Sequence, residues 1–205
     1  MPVQVYTFKI TYAGCDNRIW RTAAVSSNYT LAELGYMVLS TFDTMAYHLF
    51  NMKYKNTLYY LSEKLFEDLS LYDKENSYDL LWRNKIGKLN MNIGDTIEMV
   101  YDPGCWQKFN IVLTEIGDMP KGHGPSYPKI LDGAGKGIID DMCADQLLEV
   151  INKIDTEGHS EIYYSGNDNI NVPEWNYRNY DIRLDNLILK MNIDMIRDGY
   201  EKFGG

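Results

Sequence analysis

Cysteine is scarce in this 205-residue chain: Cys15, Cys105 and Cys143 are the only three, odd in number, far apart and without a C-x-x-C pair. That excludes a disulfide-stapled scaffold and a zinc knuckle, and it points to a protein of the reducing cytoplasm. Long apolar runs are missing too, and nothing approaches the roughly 20 consecutive apolar residues of a membrane-spanning helix. The opening "MPVQVYTFKI" has no basic stretch followed by an apolar core, so neither a secretory signal nor a membrane is expected. Positive charge is in deficit, with 20 Lys and Arg against 29 Asp and Glu for a net charge of −9, and the basic residues form no run. Nucleic acid is therefore an unlikely partner by charge, since nonspecific affinity for it comes from clustered Lys and Arg displacing counterions. Familiar catalytic patterns are absent as well. "DGAGKG" has Ile130 where a phosphate loop needs its first glycine and Gly137 where it needs Ser or Thr. The three histidines, His48, His123 and His159, accompany no G-x-S-x-G elbow.

What is present reads as one domain over 1–205, because 45 % apolar content suffices for one well-filled core. "VYTFKITY" alternates, with Tyr6, Phe8, Ile10 and Tyr12 on one face, and "RIWRTAAV" supplies a partner strand. "TLAELGYMVLSTF" begins with Thr30 and Glu33 at capping-box spacing and sets Leu31, Leu34, Val38 and Phe42 on one side of a helix. "HLFNMKY" and "TLYYL" form a short hairpin around Lys55 and Asn56, and 62–88 is expected to be loop with one short helix. A clearer hairpin joins "DTIEMVY" to "FNIVL", after which the Gly- and Pro-rich stretch 117–142 reads as irregular. "ADQLLEVINKI" is an amphipathic helix through Leu147, Leu148, Ile151 and Ile154. A C-terminal helical segment starts at about 181, capped by Asp181, with Leu184, Leu187, Ile188 and Met191 as its apolar stripe. This order of elements predicts an α+β fold: a single domain with a largely antiparallel sheet and helices packed on one face.

Between the strands of the clearer hairpin lies "DPGCW". Pro103 fixes one φ and Gly104 accepts a positive one, the order a type II turn requires, and Asp102 suits the first position because its carboxylate can bond the backbone two residues on. Trp106 has no role in such a turn. Tyr and Trp are abundant, 17 and 4 in number, and combine broad contact area with a polar tip. Those in or beside loops, Trp106, Tyr127 and Trp175, are expected to border a ligand or partner groove with Arg21, His48 and Asp102.

Four stretches, "RIWRTAAV", "TLAELGYMVLSTF…HLF", "VYDPGCW" and "YPKILDGAGKGIIDDM", resemble in order and spacing the plasmid pRiA ORF-3-like family of insertion-element passenger proteins, and "PEWNYRNYDIRLDNLILK" is similar to its closing segment. The resemblance carries Trp20, Arg21, Leu31, Leu34, His48, Tyr101, Asp102, Gly104, Trp106, Tyr127, Pro128, Gly133, Asp140 and Asp141. It implies a compact α+β domain with no established activity. The resolvase label given to such proteins is not carried over, because no recombinase serine constellation is visible. The chain departs from the family where Pro103 and Cys105 replace a Phe and an Asp, where Lys108 replaces a His, and where 138–141 reads Ile-Ile-Asp-Asp in place of Pro-Pro-Glu-Asp.

Two functions follow as alternatives. One is a non-enzymatic binding or accessory protein of a mobile element or bacterial chromosome, recognising a protein or small molecule through the aromatic-rimmed groove. The other is a metal-dependent hydrolase or nuclease in which Asp102, Asp140 and Asp141 hold a divalent cation and His48 is ligand or base. No other cofactor is expected. Against the second stand ordinary duties: Asp102 in its turn, Asp140 and Asp141 ahead of a helix, and His48 half-buried on a hydrogen bond.

Overall fold

The computed structural model describes residues 3–15, 17–120, 127–160, 162 and 174–203. Strand β1 (Gln4–Tyr12) pairs antiparallel with β2 (Trp20–Ser26), aligning Ile10 with Arg21. Helix α1 (Leu31–Thr41) follows, and its capping box forms as the sequence predicts: the Glu33 N–H donates to Thr30 Oγ1 while the Thr30 N–H donates to the Glu33 carboxylate. Strands β3 (Phe50–Tyr54) and β4 (Thr57–Tyr60) make the short hairpin, with Lys55 in the left-handed conformation its turn requires. Helix α2 (Glu67–Tyr72) precedes β5 (Ser77–Leu80), and the clearer hairpin is β6 (Thr96–Tyr101) and β7 (Gln107–Asp118). The chain continues through β8 (Lys129–Ala134), α3 (Ala144–Glu157) and α4 (Ile182–Phe203).

The eight strands form one sheet in the order β5-β4-β3-β6-β7-β1-β2-β8, antiparallel except where β5 lies parallel to β4. One core cluster joins Phe8, Ile10 and Tyr12 of β1 to Leu34 and Val38 of α1, Leu147 and Ile151 of α3, and Leu189 and Ile193 of α4, so the alternating face of the sheet is the face the helices cover. Burying each such aliphatic or aromatic side chain stabilises the fold by about 1.5–3 kcal/mol. The fold class is α+β, as the pattern of elements predicts.

Three expectations are corrected. Strand β5 emerges inside 62–88, where four residues add to the exposed edge of β4 on backbone bonds. Strand β8 occupies the middle of the stretch read as irregular. On α4 the apolar stripe faces outward: Leu187 is 81 % exposed and Leu184 and Met191 are exposed, whereas Leu189 and Ile193 are buried. The buried face of α4 was disguised because two polar residues on it, Asp185 and Asn186, have work inside. The Asn186 amide accepts from the Ile130 N–H at 2.9 Å and donates to the Ile130 C=O at 2.9 Å, completing the edge strand β8 as a ninth strand would. Asn186→Ala strands both groups, and a loss of about 1–3 kcal/mol is expected in the urea-unfolding free energy.

Candidate functional site

The order of the sheet decides which loops meet. The start of β3 and the end of β6 are neighbours, with Phe50 opposite Tyr101. His48 lies just before the first, Asp102 just after the second, and the Asp102 N–H donates to the Leu49 C=O at 3.0 Å. The starts of β2 and β7 and the end of β8 reach the same rim, as the pairs Trp20–Ala134 and Tyr101–Gln107 require.

Asp141 arrives from the far edge strand along a fastened loop. After β8 the chain passes Gly137 at φ 154, where a Cβ would overlap the Phe42 carbonyl, and the Ile138 N–H then donates to that carbonyl at 2.9 Å. The Asp140 carboxylate is consumed as a clamp: Tyr101 donates its hydroxyl to Oδ1 at 2.6 Å and the Met45 N–H donates to Oδ2 at 2.7 Å. Asp141 is thereby set opposite His48.

His48 Nε2 lies 2.8 Å from Asp141 Oδ1 and 3.6 Å from Asp102 Oδ2. One ligand-capable atom from each of the three residues lies within 4.8 Å of both others. The second oxygen of each carboxylate is anchored, since Asp102 Oδ1 accepts the Gly104 N–H at 3.0 Å and Asp141 Oδ2 accepts the Tyr47 hydroxyl. The His48 ring itself rests against Tyr47 and edge-on to Tyr101, and its carbonyl accepts the Tyr200 hydroxyl. Asp102 and Asp141 both sit at positive φ, 51° and 61°, a conformation that Asp adopts more readily than most residues.

The hydrogen bonds from Tyr47 and then His48 hold the Asp141 carboxyl below the usual carboxylate range, and the same bond pushes the Tyr47 hydroxyl up to about 12. Stability linked to Asp141 is therefore present above its unfolded value and is lost only as pH falls through the lowered folded value. Beside the cluster, the Cys105 thiol donates to the Asp141 C=O at 3.7 Å, and its hydrogen bond with Cys143, followed by burial, pushes it up to about 12.

The turn itself departs from type II. The Cys105 and Trp106 N–H groups both donate to the Asp102 carbonyl, at 3.1 and 2.7 Å, so the chain makes one helical turn and Gly104 needs no positive φ. The left-handed positions are Asp102 and Trp106 instead. The Asp102 bond to the backbone two residues on is present as expected.

Of the residues assigned to a groove, His48, Asp102 and Trp106 share this rim, with Trp106 63 % exposed. The others do not border an open groove. Arg21 is fully buried: on β2 its side chain points beneath the helices, donating to the carbonyls of Thr41, Trp20, Ala134 and Lys136 and stacking 3.8 Å from the Tyr180 ring. Trp175 is 1 % exposed and belongs to the core cluster, because the backbone around it is tied to Ser160 and Ile162. Tyr127 lies beyond Lys129, at the other end of β8 from Ala134 and hence roughly 17 Å of strand from the rim. Asp140, a candidate ligand by sequence, is the clamp described above. Tyr101 enters the sequence reading only as a family-matched residue and Tyr47 not at all, although their hydroxyls aim Asp140 and Asp141; a tyrosine directly before the His and before the Asp is the available signal. His123 lies outside the described residues.

Among the described residues no helix is long and apolar enough to cross a membrane. A family model, the plasmid pRiA4b ORF-3-like protein, matches residues 4–183. No curated protein matches the chain. Among solved structures, the crystal structure of MM3350, a protein of unknown function from Methanosarcina mazei Go1, aligns with a TM-score of 0.66 at 18 % identity, covering 89 % of this chain and 97 % of that one. At that identity the likeness is one of fold.

Proposed function

The chain belongs to the plasmid pRiA4b ORF-3-like family, and from that premise we propose that this member is a divalent-cation protein whose metal centre, formed by His48, Asp102 and Asp141, serves hydrolysis. The observation that carries the reading is the convergence of one imidazole nitrogen and two carboxylate oxygens within 4.8 Å. Ligands held 2.0–2.2 Å from a tetrahedral ion are about 3.4 Å apart, and the two His48 separations, 2.8 and 3.6 Å, bracket that value. The donor set suits zinc, manganese or ferrous iron better than magnesium or calcium, which favour all-oxygen shells. Tyr47 and the Gly104 amide each fix one carboxylate so that its free oxygen faces the imidazole, the outer-shell arrangement that orients ligands. Three protein ligands on a half-exposed rim leave room for water and substrate, and a cation there would supply an activated water near neutral pH.

Two features bear on substrate and partner. The net charge of −9 disfavours a polyanionic nucleic acid, and Trp106, exposed beside Asp102, offers an apolar surface to whatever approaches. The groove-based binding reading has less behind it, because Arg21 and Trp175 are inside and Tyr127 is at the opposite end.

Calorimetric titration of chelator-treated protein tests this. One zinc or manganese ion per chain is expected, with affinity at least tenfold weaker in Asp141→Ala and His48→Ala, the scale at which loss of even outer-shell support acts. Magnesium is expected to bind more weakly than either. Absence of binding, or binding that both variants retain, overturns the reading.

A further inference from the structure

Helix α4 turns an apolar stripe to solvent. Leu184, Leu187, Met191 and Met195 are each more than half exposed and follow one another at three- and four-residue spacings that keep them on one side, while Leu189 and Ile193 face the core. A contiguous exposed apolar surface rimmed by charge is the mark of an interaction face.

Beside the stripe runs a row of four exposed charges. Arg183, Lys190, Asp194 and Glu201 are seven, four and seven residues apart, close to two, one and two helical turns, so they form a line about 27 Å long on one flank. Their signs read plus, plus, minus, minus. Among the described residues Arg183, Lys190 and Glu201 are in no ion pair, and Asp194 has only Arg197, 3.0 Å away on the exposed surface. The other charges of the helix are accounted for. Asp181 accepts from the first N–H groups, Asp185 is turned inward to Arg21, and Asp198 and Lys202 neutralise each other.

Such a row is complementary to itself in one orientation only. Two copies of α4 laid antiparallel about a twofold axis between Lys190 and Asp194 bring Arg183 of each copy to Glu201 of the other, and Lys190 of each to Asp194 of the other. A parallel pair sets like charges against like. In the antiparallel pair Met191 lies next to the axis, with Leu187 on one side of it and Met195 on the other, so the two stripes meet face to face. Flanking charges of this kind set partner and orientation in paired helices, and a patch that meets itself across a twofold axis is the commonest interface between identical chains.

We propose that the outer face of α4 is a self-association surface, and that this protein forms an antiparallel, twofold-symmetric dimer on Leu184, Leu187, Met191 and Met195 with Arg183 and Lys190 paired to Asp194 and Glu201 of the second copy. One helix against another is at the small end of specific interfaces, so the dissociation constant falls in the micromolar range. The pairing is independent of the proposed cation site.

Sedimentation of the full chain at about 100 µM, well above a micromolar dissociation constant, tests this. A species of twice the 23.8 kDa chain mass is expected, weakening as salt screens the charged row. Leu187→Asp, at an exposed position that leaves the core untouched, is expected to sediment as a folded monomer with an unchanged circular dichroism spectrum. The double variant Arg183→Glu with Lys190→Glu and the double variant Asp194→Lys with Glu201→Lys are each expected to associate at least tenfold more weakly, since each sets like charges across the axis. All four reversals together are expected to restore the dimer, an outcome that only the antiparallel pairing gives. A parent chain that stays monomeric, leaving the stripe to a different protein, overturns the proposal. So does a dimer that Leu187→Asp or either double variant retains, or a fourfold reversal that stays dissociated.

Discussion

Arg21→Ala is expected to lower the unfolding free energy by about 3–5 kcal/mol, the usual result of removing one partner from a buried charged network. Domains of this kind have about 5–15 kcal/mol in total, so the loss should appear as a large fall in the urea midpoint. The guanidinium makes five hydrogen bonds: Nε and Nη2 to the Thr41 carbonyl at 3.0 and 2.7 Å, Nη1 to Trp20 and Ala134, and Nη2 to Lys136. Asp185 stands 3.6 Å away and Phe42 and Tyr180 lie against the guanidinium plane, so the charge is neutralised and enclosed. Removing it leaves four carbonyls without their donor and a half-buried carboxylate without its counter-charge, and burial already pushes the Asp185 carboxyl upward. Lysine is not a substitute, because a single ammonium with three donors cannot span carbonyls from β2, the end of α1 and the end of β8. Arg21→Lys should recover less than half of the lost stability.

Gly137→Ala is expected to cost about 2–5 kcal/mol and to weaken zinc binding at least tenfold. Two effects combine: a left-handed φ of 154° that a side chain resists, and a Cβ that meets the Phe42 carbonyl, a backbone atom unable to step aside. The loop can relieve the overlap only by giving up the Ile138 bond to Phe42, and that bond leads directly to the Asp140 clamp and to Asp141. Gly117→Ala is the matched control, since nothing lies within 4 Å of its added carbon. It should leave stability within about 0.5 kcal/mol of the parent, as surface substitutions do. Equal effects at the two positions would mean that the approach of 137 to Phe42 does not hold the loop.

Comparison of pattern with structure shows where local rules suffice. The period-2 alternation of Tyr6, Phe8, Ile10 and Tyr12 and the Thr30–Glu33 capping box are set by residues close in sequence, and both were legible. Strand β5 was not, because its place depends on β4 offering a free edge and not on its own four residues. Helix α4 misled because Asp185 and Asn186 interrupt its buried face for the sake of Arg21 and Ile130, partners far away in the chain. At the site, His48, Asp102 and Asp141 were legible as residue types, but their convergence depends on strand order and on the loop fastened at Phe42 and Met45. The same distant contacts assign Asp140 to structure and Asp141 to the cluster, a division that two adjacent aspartates cannot display. Arg21 and Trp175 read as rim residues because strand and loop pattern alone does not say which side of a layer the helices will cover.

Side-chain NMR of the histidines during titration with manganese locates any bound ion without assuming an activity. The ring signals of His48 should broaden first and strongly, those of His159 should not, and Asp141→Ala should abolish the selective effect. Broadening that begins elsewhere, or a His48 signal that stays sharp while the ion binds, would contradict a metal centre at His48, Asp102 and Asp141.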